Sequence, residues 1–75
     1  MKTFTRTNKE NGETTLLEFS AAVDQLIVDN LVYAGEDVSG IEDWLSDMST
    51  VFEAREILTS SVIGVDAGDF IYLAN

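Results

Sequence analysis

Thr14-Thr15-Leu16-Leu17-Glu18-Phe19 is the stretch on which the architecture turns. Two readings compete for it. Thr15-Leu-Leu-Glu18 has the form of a capping box, in which threonine and a glutamate three residues later satisfy free backbone donors at a helix start. On that reading a helix begins after Thr15. The rival makes residues 14–19 a second strand, folded back on the first across Asn11-Gly12. Apolar residues then recur at helical spacing through Leu16, Phe19, Val23, Leu26, Ile27, Asn30 and Leu31. At 100° per residue these fall on one stripe, with Asp24, Gln25 and Asp29 flanking or opposing it. The stripe already accounts for Leu16 and Phe19, so the helical reading is preferred.

Upstream, Lys2, Phe4 and Arg6 alternate with Thr3, Thr5 and Thr7, a strand pattern over residues 1–7. Residues 8–13 (NKENGE) form a polar turn, tightest at Asn11-Gly12. Downstream, residues 32–40 form a loop with Gly35 as a helix C-cap. A second capping box, Ser39-Gly-Ile-Glu42, starts helix two. Its Ile41, Trp44, Leu45, Met48, Val51 and Phe52 share a core-directed face, and it ends near Leu58. Arg55 falls near that face, its head free to reach a carboxylate or the helix end. Residues 61–65 and 70–74 read as strands joined by Asp66-Ala-Gly-Asp69, where Gly68 can take a positive φ. Both strands are apolar on both faces, where a half-buried strand alternates. Either this hairpin is sandwiched or one of its faces meets another molecule. The expected fold is α+β, in the order β-α-α-β-β. It has a three-stranded antiparallel or mixed sheet, with two helices packed on one face.

At 75 residues the chain is one small acidic domain, residues 1–75, with a limited core. It has no cysteine and no histidine, which removes disulfides, thiolate metal sites, the usual zinc ligand and the usual general base. Serines and threonines therefore lack an activating base, and no cleft is foreseen for a carboxylate pair. No enzyme and no cofactor are expected. Asp43 and Asp47 are neighbours on a helix, but hard cations need more oxygen ligands, and no metal site is assigned. No apolar run approaches the ~20 residues of a membrane span, and no apolar region follows the N-terminal bases. A cytoplasmic protein is the expectation.

Ile63-Gly-Val-Asp-Ala-Gly68 resembles the opening phosphate-binding strand and turn of the actin-like ATPase and sugar-kinase fold. The likeness covers six residues and implies an aspartate and glycine against nucleotide phosphate. That family needs further strands and a second phosphate loop, and Asp69 stands where a small residue is usual. A plain hairpin turn is the favoured reading.

Charge is the strongest functional signal. Residues 10–75 hold all 14 acids and 1 of the 4 bases, Arg55, a net −13. An acidic surface repels phosphates, so direct binding to nucleic acid or anionic lipid is not expected. A surface tuned only for solubility mixes both signs. The expected function is a small non-enzymatic protein-binding module, an inhibitor or nucleic-acid mimic of phage or plasmid type. It would present carboxylates to a basic, nucleic-acid-handling partner. The candidate contact residues are Asp24, Asp29, Tyr33, Glu36, Asp37, Glu42, Asp43, Asp47 and Glu53. The alternative is a homodimer or other homo-oligomer, a structural or adaptor protein. It would assemble through the C-terminal hairpin by Phe70 and Tyr72, with acidity serving solubility.

Overall fold

Threonine-rich β1 (Thr3–Asn8) is followed by the expected polar turn, and a computed structural model describes the chain over residues 2–60 and 63–75. In the turn, Asn8 exchanges backbone bonds with its surroundings: its N–H donates to the Glu13 carbonyl, and its carbonyl accepts from Gly12 N–H, both at 2.8 Å. The side chains of Asn8 and Asn11 accept from the N–H groups of Glu10 and Glu13. The chain is thereby turned straight back along β1.

The helical reading of residues 14–18 fails here. Thr14–Glu18 is a strand, β2, antiparallel to β1 with Phe4 opposite Leu17 and Thr5 opposite Leu16. The turn places this segment beside unpaired β1 donors and acceptors, and ladder bonds satisfy both strands at once. Glu18 keeps extended backbone angles and makes no side-chain cap, so helix α1 runs from Phe19 to Tyr33. The sheet therefore has four strands rather than three. Leu16 points away from the helices and is 68% exposed.

The end of α1 follows expectation. Gly35, at φ +79°, donates to Val32 O, and Glu36 donates to Leu31 O. This pair of bonds is the Schellman closure that a glycine just past the helix makes accessible.

The second helix is divided in two: α2 (Ile41–Ser46) and α3 (Met48–Ser60). The Ser46 hydroxyl donates to the Glu42 and Asp43 carbonyls at the end of α2. Asp47 then leaves the helix at ψ 111°. Its carbonyl accepts the Val51 N–H and its carboxylate accepts the Thr50 hydroxyl, so it opens α3 as a capping residue would. The expected Ser39–Glu42 box is not made. Ser39 instead gives its N–H and hydroxyl to the Asp37 carboxylate, each at 2.9 Å.

β3 (Val65–Ala67) and β4 (Phe70–Ala74) complete the sheet. The expected strand over residues 61–65 begins later, and Ser61 and Val62 lie outside the described residues. The resulting structure at Gly68 is a hairpin turn, as favoured. The order is β2-β1-β4-β3, antiparallel throughout.

Pairing register assigns each side chain to a face. Phe4, Arg6, Tyr72, Val65 and Ala67 share the helix side. Thr3, Thr5, Thr7, Leu16, Ile71 and Leu73 share the other. α1 lies on the sheet, α3 packs against α1, and α2 packs against both. The core joins Phe4 and Tyr72 to Ala22, Val23, Leu26, Ile27, Ala54 and Leu58. No helix of the described residues is long and apolar enough to cross a membrane.

Candidate functional site

Asp29, expected on the acidic surface, lies in the interior, with its side chain 3% exposed. Its carboxylate takes four donors. Arg6 donates from Nε and Nη2 at 2.8 Å each, Gln25 from its amide at 3.0 Å, and Tyr72 from its hydroxyl. Arg6 in turn lies 3.5 Å over the Phe70 ring centre. Period-two alternation is the cause. Arg6 follows Phe4 on the same face of β1, so its charge enters the helix side and needs an acid there. The equal parity of Phe4 and Arg6 in β1 is the sequence signal for an acid on the helix side.

This network shifts two titrations. Hydrogen bonding to Asp29 raises the Arg6 pKa against the opposing effect of burial. Burial, then the bond to Asp29, pushes the Tyr72 phenol far above its ordinary 10.0. Strongly shifted groups mark many active sites, but structural ion pairs shift them as well. Here no buried side-chain donor or acceptor of the described residues lacks a partner, so the network reads as a structural clasp.

Tyr72, expected at an oligomer interface, is only 1% exposed and belongs to this clasp. Phe70 is half-buried beneath Arg6. The expected interface pair therefore lies on the covered face of the hairpin. The uncovered face has the opposite parity and carries Ile71 and Leu73.

The remaining candidates are at the surface. Asp24, Glu36, Asp37, Glu42, Asp43, Asp47 and Glu53 are all exposed. Ser39, first by its N–H and then by its hydroxyl, holds the Asp37 carboxyl below its ordinary range. Tyr33 is 70% exposed, yet its inner ring atoms lie against Gly68. Arg55 is exposed, and its expected reach to a carboxylate is not made among the described residues.

The two layers differ in charge. Lys2, Arg6 and Lys9 all belong to the sheet layer, where Lys9 pairs with Asp66. The helical region, residues 19–60, exposes eight carboxylates, the seven above and Glu56, against one base, Arg55. Among the described residues none of these eight is in an ion pair.

A groove opens where the three helices meet, with a volume of about 160 Å³. Leu26, Ile27 and Ala54 form its buried floor. Leu31, Trp44 and Ile57 form apolar walls, and Asn30, Thr50 and Glu53 supply the polar lining. Trp44 was expected in the core; the break at Asp47 leaves it at the groove, 39% exposed. Small-molecule sites usually enclose roughly 300–1,000 Å³, so this groove is sized for a single side chain. No group of three or more carboxylates among the described residues is arranged to hold a metal ion. Comparison with family models, curated proteins and solved structures yields no match.

Proposed function

We propose that the chain is a small, non-enzymatic protein-binding module that offers the carboxylates of its helical layer to a basic partner. The observation that carries this reading is the charge of that layer, eight exposed acids against one base. Like charges held on a folded surface without counter-charges repel one another, and a cationic partner relieves that repulsion. Proteins that handle nucleic acid carry the required lysine- and arginine-rich surfaces. Occupying such a surface makes the module an inhibitor or nucleic-acid mimic of the kind phages and plasmids use. Glu42, Asp43, Asp47 and Glu53 are the principal contacts, with Asp24, Glu36 and Asp37 contributing to long-range steering.

The test is affinity for a panel of basic nucleases and nucleic-acid-binding proteins at rising salt. Binding should weaken steeply with ionic strength, since exposed charges are screened within about 10 Å at 0.1 M. Changing Asp43, Asp47 and Glu53 together to their amides should lower it at least tenfold. Binding indifferent to both salt and the amides would refute the proposal.

A second reading, self-assembly, draws on the outward face of the sheet, where Leu16 and Leu73 are 68% and 43% exposed and no helix covers them. On this reading the hairpin contributes Ile71 and Leu73. Light scattering at high micromolar concentration decides it: a monomer removes the option.

A further inference from the structure

The helical groove and the charge around it describe the binding element of the partner. We infer that the groove between α1, α2 and α3 seats one large apolar side chain carried on a lysine- or arginine-rich segment of a partner protein; this rests on the function proposed above. Three features converge. The volume, about 160 Å³, suits a side chain and not a ligand of ordinary size. The walls, Leu31, Trp44 and Ile57, are apolar and partly exposed, so an entering aliphatic or aromatic group removes their surface from water. Glu53 lines the groove, and Asp43 and Asp47 flank Trp44 in the chain, all exposed and without ion pairs among the described residues. An apolar group presented on an acidic segment would meet like charge here. Basic residues beside the anchor would meet opposite charge, at Glu53 first.

Trp44 is the sole tryptophan, so its fluorescence reports directly on the groove. The probes are three synthetic nonapeptides: all lysine, lysine with a central phenylalanine, and glutamate with a central phenylalanine. The phenylalanine-centred lysine peptide should shift Trp44 emission and bind about tenfold or more tighter than the all-lysine peptide, the gain expected from burying one aromatic side chain. Ile57→Gln should abolish both the emission shift and the tenfold difference while leaving all-lysine binding in place. Glu53→Gln should weaken the phenylalanine-centred lysine peptide without abolishing the emission shift at saturation. Far-UV circular dichroism establishes that each variant is folded.

Equal binding of the two lysine peptides with Trp44 unmoved would overturn the groove as anchor while leaving the acidic-surface function standing. Equal binding of the glutamate peptide would overturn the basic segment as occupant. Failure of every peptide to bind at low salt would sink both the inference and the function beneath it.

Discussion

Asp29 is the side chain on which the fold most depends through a single polar contact set. Its removal leaves the Arg6 guanidinium, 17% exposed, without its counter-ion, and leaves the Tyr72 hydroxyl without its acceptor. Asp29→Leu alone should therefore cost about 3 kcal/mol in urea unfolding. The paired change Arg6→Met with Asp29→Leu should cost less, because no uncompensated charge remains. A larger loss in the pair than in the single variant would assign the stability to the ion pair itself. Tyr72 adds an alkaline limit. Its folded pKa is raised and its unfolded value is the ordinary 10.0, so the protonated phenol favours the native state. That contribution is whole below pH 10 and drains away as pH climbs beyond it. Tyr72→Phe should cost about 1.5 kcal/mol at pH 7. The gap between wild type and variant should narrow above pH 10, as followed by unfolding at several pH values. None of this clasp was legible from Asp29 alone, which in helical projection is one acid among several. It became visible only when β1 parity placed Arg6 opposite it.

Among the elements, those with strong local chemistry were readable and those decided by a neighbour were not. Gly35 closed α1 as its sequence position implies, and the polar turn over residues 8–13 formed as expected. Residues 14–18 carry both a capping signature and two β-branched threonines, and the two tendencies are close in local energy. The deciding contribution was β1, which supplies a ladder that only a folded-back chain can use. Ser46 and Asp47 are a similar case. Inside a helix they are tolerated, but side-chain bonds to nearby backbone and hydroxyl groups favour an end and a new start. Trp44 went to the groove wall for that reason. Gly68 offers a direct check of the hairpin. At φ +63° it favours glycine, and an added Cβ would stand 2.6 Å from Tyr33 Cβ and Cγ. Gly68→Ala should thus cost about 2 kcal/mol in thermal or urea unfolding. Adding Tyr33→Gly, which removes both the Cβ and the ring, should, measured against Tyr33→Gly alone, recover only the part due to the collision. Full recovery would mean that backbone strain contributes nothing.

Taken whole, the molecule is a sheet layer holding three of the four bases and a helical layer holding most of the exposed acid. Such an imbalance destabilises the compact state by self-repulsion. Raising salt from about 0.01 M to 1 M shortens the screening length from about 30 Å to about 3 Å. The melting temperature should rise by several degrees over that range. A fall would mean that ion pairs such as Arg6–Asp29 and Lys9–Asp66 outweigh the repulsion among the remaining acids. The same screening that steadies the free protein should weaken its hold on a basic partner, so stability and affinity are expected to move in opposite directions with salt.

Composition, the net charge, the α+β class and the helical stripe from Phe19 onward follow from the chain itself, because spacing and side-chain type act locally. The fourth strand, the burial of Asp29 and Tyr72, the helix break that exposes Trp44 and the separation of charge between layers came from the tertiary structure. Each depends on which distant segment lies alongside, and hydrogen-bond pairing and face parity take effect only after the chain has brought those segments together.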